Sequence, residues 1–284
     1  MQFKKIDFEE YHKIRNLLLI GAENNKEEVY KDSQGIATIG IGINLGEKNL
    51  KGLWLRLVLY YLFDLVKKPQ EIPFKKFDSL DSLSNVIKDT QSDKSKEYKN
   101  LIDKIADRML ETLQQDIHIT TSTLNHIIRE EIESYLKTTQ TLNPEQRQKR
   151  LKETDLKRDS SNPKNPKYLE LRLNEEQAKE LFDIMAINYE IDTLRLLNQK
   201  EILHFNTIKE KDESKREYYK EFIPLVSATY QSPNIIQKNS LIQRAFTFQS
   251  RFLLWAVIRY TLGNEIRRRI LQSSIFNFNG KLAN

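Results

Sequence analysis

The chain has no cysteine, which excludes disulfides, thiolate metal sites and a cysteine nucleophile. It is also poor in the residues that interrupt helices, with 8 Gly and 7 Pro among 284 residues. Hydrophobic residues make up 39% and charged residues 30% of the chain, which is typical of a mostly helical globular protein and not of a disordered or fibrous one. The lack of cysteine fits any redox compartment and does not locate the protein.

Long apolar runs are also absent. The longest, Leu53–Val66, is interrupted by Arg56 and Asp64, so we predict a buried helix there and no membrane span. Residues 1–10 contain no apolar signal core, so we expect synthesis in the cytoplasm without a signal peptide. The net charge of +6 favours an anionic partner such as cell wall, nucleic acid or anionic lipid, although an ordinary basic surface explains it equally well.

The first predicted helix begins at a capping box formed by Asp7 and Glu10. Apolar residues then recur at helical spacing, at Tyr11, Ile14, Leu17, Leu18 and Ile20. The period changes over residues 29–45, where short β-branched runs are broken by Gly35, Gly40 and Gly42. That pattern predicts a small antiparallel hairpin.

Two carboxylates flank this change of period. Glu23 stands at the predicted end of the first helix and Asp32 at the entrance to the hairpin, with the hydroxyl of Thr38 on the returning strand. Hydrolysis of a glycosidic bond needs one carboxyl held as an acid and another left ionised, and carboxyls in different surroundings can supply both. The spacing therefore indicates a glycoside hydrolase.

The middle of the chain is more charged. A helix is predicted over residues 53–67, ending near Pro69, and loosely packed helices over 70–142, with a solvent-exposed linker at 143–167. His118 and His126 lie on roughly one helical face, but no carboxylate or third histidine stands at ligand spacing, so no metal site is predicted.

The last third returns to clear helical patterns. Asn174 and Gln177 form a predicted capping box at the start of a long helix. Further helices are predicted at Phe222–Tyr230, Leu241–Phe248 and Phe252–Tyr260. Because Phe252 and Trp255 stand at helical spacing, we expect both in the core.

The segment from Glu23 to Leu45 resembles the phage-type lysozymes, glycoside hydrolase family 24, and within them most of all the pesticin-like muramidases, whose signature ends in Gly-x-Asn-Leu. Glu23, Asp32 and Thr38 fall on the catalytic Glu, Asp and Thr positions of that family. Tyr30, Lys31 and Gly35 match as well. Later segments are similar to the second lobe of the family, namely Leu173–Phe182, Leu225–Pro233, Trp255–Tyr260, Arg267–Arg269 and Ser274–Phe276.

The chain also departs from the family pattern. Asn24 stands where the family usually has Gly, and the gap between Leu45 and Leu173 is much longer than in simple members. The resemblance implies an α+β, predominantly α-helical, lysozyme-like fold with a small β-hairpin lobe, a larger helical lobe and a cleft between them. It implies three parts: residues 1–69 with the first helix and hairpin, a charged helical insertion at 70–168, and the C-terminal helical lobe at 169–284.

The implied activity is hydrolysis of the β-1,4 bond between N-acetylmuramic acid and N-acetylglucosamine, with inversion and without a cofactor. Glu23 is the expected general acid, its pKa raised by desolvation in the cleft. Asp32 and Thr38 are expected to hold the attacking water. An ordinary solvated acid at Glu23 and an ordinary turn at Asp32 are the alternatives that the residues leave open.

Four further residues are candidates for contact with the sugar chain: Asn44, Tyr30, Gly42 and Arg259. Asn44 would equally well brace the hairpin. Arg259 fits a role in bracing its own lobe better than it fits a substrate contact.

The expected partner is peptidoglycan, reached in the periplasm or outside the cell after delivery by a phage or a secretion system. The protein would then be a phage endolysin or a secreted antibacterial effector, with an immunity protein that inhibits it and a secretion-machine or phage-structure component as further partners. The alternative is a catalytically silent wall-binding or structural protein with a lysozyme fold. Nucleic acid is not expected, because acids accompany the bases nearly everywhere.

Overall fold

The computed structural model describes residues 3–23, 25–46, 52–88, 93–115, 119–138, 170–197, 216–231, 236, 239–248, 250–261 and 266–276. The described chain is mostly helical with small antiparallel sheets, as the composition predicts. The predicted linker at 143–167 and His118 lie outside the described residues.

The helices, in chain order, are α1 (Phe8–Glu23), α2 (Leu53–Leu62), α3 (Asp93–Gln115), α4 (Thr121–Thr138), α5 (Glu175–Leu196), α6 (Phe222–Gln231), α7 (Ser240–Thr247), α8 (Arg251–Tyr260) and α9 (Ile266–Ser274). The strands are β1 (Lys5–Ile6), β2 (Lys26–Lys31), β3 (Ala37–Gly40), β4 (Ile43–Asn44) and β5 (Tyr218–Tyr219). Strands β2, β3 and β4 form an antiparallel sheet in that order, and β1 pairs with β5. The antiparallel structure predicted over 29–45 is confirmed, but it has three strands and begins at Lys26.

The chain divides into two compact units that are interleaved in sequence. Unit 1 contains Met1–Asn24, Pro69–Phe77 and Lys179–Asn284, and unit 2 contains Asn25–Lys68 and Asp78–Ala178. Helices α3 and α4 thus belong to the same unit as the β2–β4 sheet. The three-part division into 1–69, 70–168 and 169–284 stays a prediction.

Helix α1 begins where the sequence predicts. The amide of Glu10 donates to Oδ1 of Asp7 at 2.7 Å, which satisfies one of the unpaired N–H groups at the helix N-terminus. The buried face of α1, which includes Tyr11, Leu18 and Leu19, packs within unit 1, where the helix contacts α6 and α9.

Helix α2 ends earlier than predicted, so the expected helix over residues 53–67 is wrong at its C-terminal end. The amide of Leu65 donates to the carbonyl of Tyr60, and that of Asp64 to the carbonyl of Tyr61, each at 2.9 Å. Asp64 adopts φ 56°, the left-handed conformation that a Schellman motif requires. This turn terminates the helix before the chain reaches Pro69.

Helix α5 begins with the predicted capping box. The amide of Gln177 donates to Oδ1 of Asn174, and the amide of Asn174 donates to Oε1 of Gln177, both at 2.9 Å. Further along, the buried side chain of Asn188 bonds both backbone groups of Phe77: it accepts from the Phe77 amide at 2.9 Å and donates to the Phe77 carbonyl. That pair attaches the segment Pro69–Phe77 to α5 within unit 1.

Unit 1 has one large hydrophobic core, to which β1, β5 and the C-terminal helices contribute. Helix α8 places Leu254, Val257 and Ile258 in it. The expectation that Phe252 is a core residue is wrong, because this side chain is 52% exposed, while Trp255 is only partly buried. Helical spacing identified the apolar positions of α8. It did not show that only the face with Leu254, Val257 and Ile258 is buried.

Unit 2 is built around α2, whose residues from Leu53 to Tyr60 are all buried. Helix α2 packs against α3 and β4, α3 packs against α4, and α4 also contacts β2. The amide of Val29 in β2 donates to the hydroxyl of Thr121 at the start of α4, at 2.9 Å. The helices of unit 2 therefore fix the sheet that carries Asp32 and Thr38.

Candidate active site

Asp32 opens the turn that joins β2 to β3. Its Oδ1 accepts hydrogen bonds from the amides of Gln34 at 2.8 Å and Ile36 at 2.9 Å. The backbone closes the same turn, since the amide of Asp32 donates to the carbonyl of Ile36 at 3.0 Å. Gly35 has φ +77°, a conformation that strains other L residues. The sequence Asp-Ser-Gln-Gly thus fixes both the turn and the orientation of the carboxylate.

Thr38 lies in β3, the middle strand, opposite Tyr30 of β2 and Asn44 of β4. Its hydroxyl donates to the carbonyl of Ile36 at 3.0 Å, and the residue is 2% exposed. The two backbone groups of Ile36 therefore hold the side chains of both Asp32 and Thr38. We call this arrangement the Ile36 anchor. It gives the carboxylate and the hydroxyl a fixed relation without any contribution from the Ile36 side chain.

Three of the predicted sugar contacts lie on the same sheet. The Oδ1 of Asn44 accepts the amide of Gly46 at 2.9 Å, which orients the amide group of Asn44. Gly42 lies in the turn between β3 and β4. The ammonium group of Lys26 lies 4.4 Å from the centroid of the Tyr30 ring, within the range of a cation–π interaction.

Gly40 ends β3 at a point of close packing. Its φ is +61°, and a Cβ added there would lie 3.3 Å from the Cβ of Ala178 and 3.3 Å from Cδ1 of Leu173. The amide of Leu173 donates to the carbonyl of Glu27 in β2 at 2.9 Å. The chain that leads into α5 therefore packs tightly against the sheet, and glycine is what allows it.

The remaining predicted residues belong to the other unit. Glu23 is the last residue of α1 in unit 1, and its side chain lies outside the described part of the structure. Arg259 is a partly exposed residue of α8, also in unit 1. The structure brings together the unit 2 members of the predicted set, which are Asp32, Thr38, Tyr30, Asn44 and Gly42.

No family model, curated protein or solved structure matches the chain. A functional proposal therefore depends on the residues of the chain itself and on the local geometry of the hairpin.

Sequence reasoning missed a buried charge network in unit 1. The guanidinium of Arg15 donates to Glu190 at 2.7 Å and to Asp183, and the hydroxyl of Tyr11 donates to Glu190 at 2.9 Å. Nδ1 of His12 lies 3.4 Å from Oδ1 of Asp183. The signal was present in the sequence, because Arg15 follows Tyr11 by four residues on the apolar face of α1, and an arginine on such a face needs an acid.

This network shifts the pKa of Asp183. Burial acts to raise that pKa, but the hydrogen bond with His12 and the positive charge of Arg15 outweigh burial. The pKa of Asp183 therefore lies below its usual value. Arg15 itself is 1% exposed. Burial acts to lower its pKa, but the negative charges of Glu190 and Asp183 outweigh burial and raise it, so Arg15 stays charged.

Each unit contains a cavity. In unit 1 a small cavity of about 40 Å³ adjoins the Arg15 network, enough for ordered water but not for a sugar. In unit 2 a cavity of about 440 Å³ is lined by residues of α2, α3 and the turn at Asp81–Asn85, among them Arg56, Tyr60, Asp103 and Asp107. None of the predicted site residues in the described part of the chain lines either cavity.

The described ranges contain neither a metal-binding cluster nor a membrane-spanning helix. No group of three or more His, Asp or Glu side chains in them is arranged to hold a metal ion. No helix in the same ranges is both long enough and apolar enough to cross a bilayer.

Proposed function

We propose that the chain is a peptidoglycan muramidase that hydrolyses the β-1,4 bond between N-acetylmuramic acid and N-acetylglucosamine. The observation that carries the proposal is the Ile36 anchor, through which the backbone of Ile36 binds both the carboxylate of Asp32 in the turn and the hydroxyl of Thr38 in β3.

In this proposal Asp32 and Thr38 position the attacking water. Oδ1 of Asp32 is occupied by two amides, which leaves Oδ2 to accept a proton from water. The Thr38 hydroxyl donates to Ile36, so its lone pairs are the part that can accept a second hydrogen bond from the same water. A water that donated both of its protons in this way would keep the lone pairs of its oxygen for attack on the anomeric carbon.

Glu23 is the proposed general acid. The glycosidic oxygen must receive a proton as the bond breaks and oxocarbenium character develops, and a positioned carboxylic acid supplies it. Glu23 ends α1 three residues before β2 begins, so the chain path ties the acid closely to the hairpin in sequence. Because the water attacks from the face opposite to the leaving group, the reaction inverts the anomeric centre.

Sugar contacts are assigned to Asn44, Tyr30 and Gly42 of the β2–β4 sheet. Arg259, the fourth candidate, fits a bracing role in its own unit better and is given no sugar contact here. With Oδ1 of Asn44 bound to Gly46, the Nδ2 group is the one left to donate to a sugar oxygen or N-acetyl carbonyl. We further propose delivery to the wall by a phage or a secretion system, and an inhibitor protein in cells that make the enzyme as an effector.

The test is digestion of purified peptidoglycan, with the released fragments identified by mass spectrometry. Wild type is expected to release muropeptides with reducing ends, and Glu23→Gln and Asp32→Asn are each expected to lower the rate by about 10²-fold or more. Asp32→Asn is a sharp probe, because its Oδ1 can still accept from Gln34 and Ile36 while the negative charge is lost. Anhydro-muramic ends would indicate a lytic transglycosylase instead.

Glu28→Gln is the matched control, since it makes the same chemical change at an exposed position in β2 and is expected to retain full activity. Release that is equal for wild type and Asp32→Asn would contradict the proposed role of Asp32. Binding to the wall without any release would favour the catalytically silent alternative.

A further inference from the structure

The positive charge of the chain is concentrated near its end. Residues 232–284 contain eight Lys or Arg residues and a single acid, Glu265, so this segment carries +7 in a chain whose whole net charge is +6. The residues before it are therefore close to neutral in sum. Helices α7, α8 and α9 contain no acid at all. Here, unlike the rest of the chain, acids do not accompany the bases.

The same helices expose large apolar side chains. Phe248 is 70% exposed, Phe252 52% and Tyr260 65%, and these are three of the most exposed large hydrophobic residues in the described chain. The Phe252 and Trp255 rings lie 5.4 Å apart, and the Trp255 and Tyr260 rings 6.0 Å apart. We call Phe248, Phe252, Trp255 and Tyr260 the aromatic strip.

The aromatic strip is held rigidly. The opposite face of α8 is buried in the unit 1 core, and Ser250 caps the helix by accepting the amide of Leu253 at 3.1 Å. The amide of Phe248 donates to the carbonyl of Arg244 at 2.9 Å, which fixes the turn between α7 and α8. Arg269 donates to the carbonyl of Tyr260 at 2.7 Å. The aromatic strip is therefore exposed on helices and a turn whose backbone is hydrogen-bonded.

Arginines border the strip. Arg244 on α7 is exposed and Arg259 on α8 is partly exposed, and neither has an ion-pair partner among the residues that the structure describes. Arg251, by contrast, is bound to Glu221. Cations beside exposed aromatic rings are complementary to a partner that is anionic and apolar at once.

We propose that the aromatic strip, with Arg244 and Arg259, docks the protein on the surface of a bilayer that contains anionic phospholipid. Phenyl and indole rings enter the boundary between headgroups and acyl chains, while arginines pair with lipid phosphates above it. A glycan fits less well, since sugar hydroxyls are commonly bound by carboxylates and amides around the rings, and helices α7, α8 and α9 contain no acid. The proposal goes beyond the muramidase activity and does not depend on it.

The test is flotation of the full-length protein with vesicles at about 0.1 M NaCl, comparing phosphatidylcholine alone with phosphatidylcholine that contains about one third phosphatidylglycerol. We expect wild type to float with the anionic vesicles only. The double variant Phe248→Ser/Phe252→Ser is expected to bind about tenfold more weakly. Arg244→Gln/Arg259→Gln should lose about fivefold for each arginine.

Matched controls test whether binding depends on the aromatic strip itself or on any exposed apolar side chain and any loss of positive charge. Leu17→Ser removes a 61% exposed apolar side chain from α1 and should bind like wild type. Lys13→Gln/Lys99→Gln removes the same total charge at exposed positions elsewhere and should also bind nearly as wild type does. Circular dichroism and thermal unfolding of each variant test whether it is folded.

A local readout comes from fluorescence. In a Trp54→Phe background Trp255 is the remaining tryptophan, and its emission should move to the blue on addition of anionic vesicles. Binding that is equal for neutral and anionic vesicles, or that the control variants weaken as much as the strip variants, would overturn the proposal. So would strip-dependent binding to single-stranded DNA or to peptidoglycan without binding to vesicles.

Discussion

Arg15 shows what a single residue contributes to unit 1. It is almost fully buried, and its guanidinium joins α1 to Asp183 and Glu190 of α5. Burying three charged groups costs desolvation energy, so the network stabilises the fold only when all three are present. Removal of one partner leaves another charge buried without compensation, which is destabilising.

The pH dependence of stability should report this network through Asp183. Its pKa is lowered in the folded state, so its contribution is present above the unfolded value of about 4 and is lost as the pH falls through the folded value. Wild type should therefore exceed Asp183→Asn in free energy of unfolding by about 3 kcal/mol near neutral pH. That difference should shrink below about pH 4 in urea titrations.

Asp78→Asn, which changes an exposed aspartate, is the control and should show no such difference at any pH. If the difference in free energy of unfolding between wild type and Asp183→Asn stayed constant down to about pH 3, it would contradict the pKa argument.

Residues of the site differ in how far sequence could predict them. The turn at Asp32 and the capping contacts of Asp7 and Asn174 were predictable, because their partners lie within four residues. The acids that bind Arg15 lie far away in sequence, 168 and 175 positions on, and no local pattern identifies them. In the Ile36 anchor, Ile36 contributes only its backbone amide and carbonyl. The amino-acid type at position 36 therefore does not reveal the anchor.

At the scale of elements, helix starts were more predictable than helix ends and faces. The starts of α1 and α5 depend on side-chain caps. Helix α2, by contrast, ends at an Asp in the left-handed conformation, a position where Gly is the usual residue. The exposure of Phe252 was missed for a different reason. Periodicity reveals that a face is apolar but not whether another element covers it.

The β2–β4 sheet offers a test of how glycines shape an element. Gly35 and Gly40 both have positive φ, but a Cβ would meet nothing within 4 Å at Gly35 and would press on Ala178 and Leu173 at Gly40. Gly35→Ala should cost about 1 kcal/mol in backbone strain. Gly40→Ala should lose the same backbone term and, in addition, about 1–3 kcal/mol of unfolding free energy from overpacking.

Urea unfolding of the two variants, side by side with wild type, measures the difference. Equal losses of stability would mean that the contact between β3 and the segment before α5 can relax without cost. Peptidoglycan digestion by the same variants would show whether that packing also supports the proposed site.

The whole molecule is organised as two units whose sequences interleave. Unit 2 lies within one continuous stretch, 25–178, broken only by the segment Pro69–Phe77, whereas unit 1 needs its first and last segments together. No sequence pattern shows this, because α5 contributes residues to both units and its helical signal runs through the division without a break.

Fragments should therefore behave unequally. A fragment of residues 25–178 should fold cooperatively, since it contains every residue of unit 2. A fragment of residues 179–284 should stay largely unfolded, because it lacks α1, which packs on α6 and α9. Circular dichroism and urea titration of each fragment measure this.

Addition of a peptide of residues 1–24 to the 179–284 fragment is the matched rescue and should raise its helical content. A 179–284 fragment that unfolds cooperatively without the peptide would show that α1 is dispensable for the unit 1 core.

The separation of α1 from its partners also has a consequence for biosynthesis. The apolar face of α1 leaves the ribosome more than two hundred residues before α9 does. At about 5–20 residues per second, that face waits on the order of ten seconds or longer for its cover. Unit 2 is complete well before then, so it can fold while the nascent chain is still growing. A chaperone that shields α1 during this interval would raise the yield of the full-length protein and leave that of the 25–178 fragment unchanged.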